Sequence, residues 1–201
     1  MVTAGMILIF ASLGLHLMQE QRDSMAGQNA QILMEQLALS KNTPIVPTES
    51  DLPEPEAPES SEAPEMNSSV MPEKEYMGYA MIGSLRVPSV GIELPILSSW
   101  DYDLLNVTAC RYSGSIATGD LILLGHNYKS HLGPLRNVQI GDLLEFESVN
   151  GVTYRYVVAQ VEQLHKSEGE RLSADYALSV FTCTLGGNHR IVVRCNPAEE
   201  S

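Results

Sequence analysis

The sequence predicts an all-β domain of eight or so short strands closing into a barrel, carried behind an N-terminal helical and extended arm. Three observations predict this. From Tyr76 onward, short runs rich in Val, Ile, Leu and Tyr recur between Gly, Pro and Asn punctuation. Asn150-Gly151 separates two such runs and is a strong two-residue hairpin signal. Only residues 101–106 and 132–137 read as short helices in this half. The strands are expected near 79–86, 91–97, 120–125, 142–148, 152–161, 177–182 and 190–194.

The arm comes in three parts. Residues 1–19 hold no charged side chain, and 2–18 are mostly apolar. That run is at the short limit for a spanning helix, about 17–25 residues. A secretory signal peptide would need a basic start and a small-residue cleavage site, and both are missing, so a single transmembrane anchor is expected. Residues 20–40 are built from good helix formers with a loose apolar stripe of Met18, Met25, Ile32, Leu33 and Leu37, which predicts a juxtamembrane helical stalk. Residues 41–75 carry seven of the eleven prolines, and 42–75 set Lys74 against nine acids. Such a segment buries too little apolar surface to order itself, so it reads as a disordered linker that spaces the next domain from the bilayer.

Most of the net charge of −13 therefore belongs to the linker. The domain, 76–197, is near neutral, with nine bases against eleven acids. It has no Lys/Arg cluster, which excludes a nucleic-acid surface. Its acids are scattered without calcium-loop spacing, and neither a metal nor a cofactor is expected.

Three residues could carry chemistry. Cys183 ends an apolar strand and opens into Thr184-Leu185-Gly186-Gly187, which puts a thiol at a rim with room for a chain to approach. His126 follows Gly125 at the exit of another apolar strand. Arg190 opens the strand that returns after Cys183, so the two share one end of a strand pair. Arg194 lies about 13 Å further along at roughly 3.3 Å per residue and reads as a surface ion-pairing residue. His131, His165 and His189 read as loop histidines or neighbours of Arg190. A thiol, a group that takes and returns a proton, and a cation near a developing oxyanion are the parts needed to attack a carbonyl.

Taken together, Leu124-Gly125-His126-Asn127, then Phe181-Thr182-Cys183-Thr184, then Arg190, resemble the sortase pattern. Ile82-Gly83-Ser84-Leu85-Arg86-Val87-Pro88, Leu94-Pro95-Ile96 and Gly141-Asp142 are similar too, and the likeness spans about residues 79–195. It departs where Leu178-Ser179-Val180-Phe181 replaces the usual Thr-Leu-x register before Thr-Cys. No Asp-Pro-aromatic lid precedes the barrel, so the resemblance points to a short class-B- or class-D-like enzyme of clostridial type.

The resemblance implies a closed eight-stranded sortase-type β-barrel and a transpeptidation. Cys183 is the implied nucleophile on an LPxTG-like sorting signal, forming a thioacyl enzyme. His126 is the implied general acid and base, and Arg190 binds substrate and stabilises the oxyanion. The implied acceptor is an amine of a peptidoglycan precursor or of another protein, such as a pilin lysine. The implied location is the cell membrane, single-pass, with the catalytic domain outside. A catalytically inactive sortase-like surface-binding module is the alternative. Papain-like peptidases reverse the Cys–His order, and the His-Gly-Cys type of signature of L,D-transpeptidases is missing. For Cys110 and Cys195 two readings stay open, a disulfide or two buried free thiols.

Overall fold

The computed structural model describes residues 2–42, 71–172, 175–184 and 186–199. Nine strands follow one long helix, α1 (Val2–Asn42). They are β1 (Lys74–Tyr76), β2 (Tyr79–Val87), β3 (Ile92–Leu97), β4 (Ala109–Ser113), β5 (Leu121–Gly125), β6 (Leu143–Ser148), β7 (Thr153–His165), β8 (Leu178–Cys183) and β9 (His189–Pro197). They pair in the order β1-β2-β3-β4-β5-β8-β9-β7-β6, and β2 pairs β6 again. The strands β2 to β9 therefore close as an eight-stranded barrel, with β1 added along β2. Asn150-Gly151 joins β6 and β7 as an antiparallel hairpin, as its chemistry predicts. Two short 3-10 turns, Leu104–Asn106 and Gly133–Asn137, fall within the segments expected to be helical.

The predicted strands are present, and two more appear. β1 is only three residues long. β4, Ala-Cys-Arg-Tyr-Ser, has no clear alternation and changes register between Arg111 and Ser113, so no period-2 signal marks it. The domain also starts earlier than residue 76: Met71 is buried, and its sulfur accepts from the Ile116 N–H at 3.3 Å.

Strand alternation sorts side chains into two apolar clusters. Leu85, Leu123, Phe146, Val180 and Val193 fill the barrel interior. Ile122, Leu124, Phe181 and Val192 point outward into a second buried cluster. Burial on both faces explains why β5 reads as an unbroken apolar run. The outer cluster is covered by Leu172, from a 3-10 turn at Gly169–Leu172, and by Leu33 and Leu37 of α1.

Here the arm departs from expectation. Anchor and stalk were expected as separate elements, and α1 runs through both without a break. Its second half does not stand off as a stalk. Ala26, Ala30, Leu33 and Leu37 are buried against the barrel, each of the two leucines contributing about 2 kcal/mol. The disordered state expected for the linker falls, over 43–70, outside the described residues. Among the described residues no helix is long and apolar enough to cross a membrane, so the transmembrane reading of 1–19 draws no support from the fold.

Candidate active site

β5 and β8 run parallel, with Leu124 opposite Phe181 and Gly125 opposite Thr182. The next residue on each strand is His126 and Cys183. β8 and β9 run antiparallel, and Cys183 is the direct partner of Arg190. The three residues singled out by sequence thus stand on three neighbouring strands at one rim, with strands spaced about 4.8 Å apart. Thr182 turns the other way and ties the rim together: its hydroxyl donates to the Gly125 carbonyl at 2.8 Å.

The glycine before His126 has a packing reason. A Cβ on Gly125 would lie 2.9 Å from Leu132 Cδ1, where the chain folds back. That turn closes through the Leu132 N–H donating to the His126 carbonyl at 3.1 Å. His126 is half-buried, with its ring 4.8 Å from that of Tyr128. Burial pushes its pKa below the ordinary 6.5, and the Arg22 guanidinium of α1 pushes the same way.

Cys183 is exposed and opens onto a cleft of ≈ 330 Å³ lined also by Asn127, Arg136, Thr184, Gly186 and Ile191. His126 and Arg190 flank this cleft rather than line it. The Arg190 guanidinium lies 5.7 Å from the Phe181 ring centroid and donates to the Lys166 carbonyl at 3.3 Å. Among the described residues no hydrogen bond joins the thiol, the imidazole and the guanidinium, a looseness common in sites without substrate. Asn127 and Arg136 reach the cleft unforeseen. Asn127 is next to His126 in sequence, but only the fold brings the 3-10 turn bearing Arg136 to the mouth.

Arg194 is not the surface residue its type suggests. It is 1% exposed. Its guanidinium donates to Glu162 Oε1 at 3.0 Å, the Leu172 carbonyl at 2.7 Å and Ser179 Oγ at 3.0 Å, and also to the Arg171 carbonyl. It therefore ties the β7–β8 loop down onto β9. His131 is likewise buried, not a surface loop histidine. His165 and His189, direct partners in the β7–β9 pair, meet edge to face with 5.3 Å between ring centroids.

The cysteine question is settled by facing. Cys110 belongs to the outer cluster and Cys195 to the barrel interior, so no bridge can join them, and all three thiols are free. Burial pushes both thiols up to about 12. Among the described residues no group of three or more His, Cys, Asp or Glu could hold a metal.

Comparison with known proteins agrees with this architecture. Residues 85–198 match the profile of a family described as the sortase domain. A relative named sortase A, from Listeria monocytogenes, is 25% identical over 132 residues, covering 62% of this chain and 59% of that protein. The chain thus spans less than two thirds of that relative's length. Among solved structures, sortase C from Clostridium perfringens SM101 is similar with a TM-score of 0.53 at 22% identity, over 60% of this chain and 71% of that one. Streptococcus pneumoniae sortase C has a TM-score of 0.55 at 18% identity, over 60% and 70%. At these identities the structural likeness speaks for the fold.

Proposed function

This chain belongs to the sortase family, and from that premise we propose that it is a cysteine transpeptidase that cleaves an LPxTG-like sorting signal and passes the acyl group to an amine. The single observation carrying the proposal is the register at the rim: Cys183 pairs with Arg190 and lies one residue beyond the Gly125–Thr182 pairing that brings His126 alongside. One of the similar solved structures is described as C. perfringens sortase C with the C-terminal cell wall sorting motif, which supports a substrate of that class here.

In this reading the Cys183 thiolate attacks the carbonyl before the scissile bond, and the bond to the leaving amine breaks as the thioester forms. His126 as imidazolium gives that amine its proton. It then takes a proton from the incoming amine, which attacks the thioester and expels the sulfur as thiolate, restoring the starting pair. Arg190 stabilises the developing oxyanion from β9, its guanidinium lying over the Phe181 ring and donating to the Lys166 carbonyl. The acceptor is an amine of a peptidoglycan precursor or of another protein. The apolar run 2–18 supports a membrane tether with the barrel outside the cell.

The test is direct. The full chain is incubated with a fluorogenic LPxTG-type peptide and an amine acceptor, beside Cys183→Ala. Transfer product from the natural protein and a loss of about 10⁴-fold or more in the variant is the expected result. Equal product from both would reject Cys183 as nucleophile. Peptide retained unchanged by the natural protein would favour the inactive, surface-binding alternative.

A further inference from the structure

The turn that carries His126 is held by a segment far away in sequence, outside the stretch that matches the family. Asp23 on α1 accepts from the Lys129 N–H at 3.1 Å through one carboxylate oxygen and from the Ser130 N–H at 2.9 Å through the other. The Ser130 hydroxyl lies against the Asp23 carbonyl oxygen at 2.8 Å and against the carboxylate as well. Burial works against the Asp23 charge, but the Ser130 hydroxyl and the two amides outweigh it and hold its pKa below the ordinary value.

One turn further along α1, Gly27 lets the helix come close. A Cβ there would lie 2.8 Å from Ser130 Cβ and 3.3 Å from its Oγ. Beneath this contact His131 is 1% exposed. Its ring nitrogens approach the carbonyls of Ala26 and Val107 without forming hydrogen bonds of standard geometry. Within the turn itself, the His131 and Gly133 N–H groups donate to the Tyr128 carbonyl at 3.1 and 2.9 Å and the Leu132 N–H to the His126 carbonyl at 3.1 Å, all backbone bonds that leave the outer side of the turn to α1.

From this geometry we infer that Asp23 is a positioning residue for His126: α1, through the Asp23 clamp and the Gly27 contact, fixes the 126–131 turn and so sets where the imidazole stands beside Cys183. The inference rests on reading His126 as the proton carrier. It makes α1 part of the catalytic unit, and a protein cut to the barrel alone would lose the clamp. Tyr128 lies 4.8 Å from the His126 ring, Arg22 of α1 and His131 of its own turn act on its charge or feel it, and Cys183 follows the residue that pairs with Gly125.

The experiment compares the full chain with Asp23→Ala, Gly27→Val and the control Asn29→Ala, an exposed position on α1. The His126 ring is titrated by NMR without substrate, far-ultraviolet circular dichroism reports the fold, and kcat and KM are measured on a sorting-signal peptide. In Asp23→Ala and Gly27→Val the His126 pKa rises toward its ordinary value as α1 withdraws, which relieves its burial first and the Arg22 charge second. In both, kcat falls about tenfold, while KM changes less than about twofold. Asp23→Glu restores part of both, and Asn29→Ala matches the natural protein. A His126 titration in Asp23→Ala that superimposes on the natural one overturns the inference. Should Asp23→Ala fail to fold, Gly27→Ala is judged by the same criterion. A shifted titration in a protein that cleaves no peptide supports the clamp while removing the transpeptidase reading.

Discussion

The two arms that flank Cys183 are braced in opposite ways. On the Arg190 side, the β7–β8 loop is pinned to the outer face of the sheet by the buried Arg194 of β9, which reaches Glu162, Ser179 and two loop carbonyls. On the His126 side, the 126–131 turn is gripped from outside by Asp23 of α1. One brace is built into the sheet and shares its stability. The other depends on a helix that could lift while the barrel stays intact. The contrast suggests that the cation is a fixed feature of the fold, while the proton carrier is adjustable.

The strongest test of this contrast is Arg190→Ala. It should lower kcat/KM by about 10²–10³ with little change in melting temperature, because the guanidinium contributes to the reacting site and not to the core. An equal drop in stability would show that Arg190 is itself part of the brace. Next, Arg194→Met should lower unfolding free energy by about 3 kcal/mol, read from urea midpoints at constant m, since it strips partners from Glu162 and the loop carbonyls. A loss below about 1 kcal/mol would mean the loop is held by Leu172 and its apolar neighbours instead.

A smaller effect concerns acidity on the His126 side. Burial holds His126 and His131 below their ordinary 6.5, so between those lowered values and 6.5 the unfolded chain binds more protons than the folded one. Stability should therefore fall as pH drops through 6.5 and level off below the folded values. His131→Phe should flatten that slope, as seen in melting temperatures from pH 7.5 to 5. A slope unchanged by the substitution would remove His131 from the account. The smallest expected difference is chemical. Iodoacetamide should label Cys183 alone in the native protein and all three thiols in urea, because burial keeps Cys110 and Cys195 protonated. Rapid native labelling of a second cysteine would show that one of those burials opens.

Much of the barrel could be read directly, because apolar runs such as 121–125 and the Asn150-Gly151 turn state their structure locally. The rim was legible for the same reason: Gly-His at one strand exit and Thr-Cys at another need only parallel pairing to meet. β4 escaped because Ala109, Cys110 and Ser113 carry no strand pattern, and its place is set by neighbours on both sides. Arg194 was misread because strand alternation gives its face but not what covers that face; the loop bearing Leu172 comes from twenty residues away or more. The α1 stripe was misread as one seam. Leu33 and Leu37 pack on the outer face of the barrel, while Met18, Met25 and Ile32 stay exposed. The small residues Ala26, Gly27 and Ala30 choose the docking face, and hydropathy gives them little weight.

Because α1 rests on the barrel and Met71 is buried in it, the acidic stretch between them begins and ends on the same body. Severing it would yield a two-piece protein whose halves remain joined through non-covalent contacts alone. Its length is then nearly free to vary, since each doubling of a closed loop costs only about 0.6 kcal/mol. Separately expressed halves, residues 1–42 and 71–201, should reassemble by complementation, and the reunited pair would recover whatever the helix supplies.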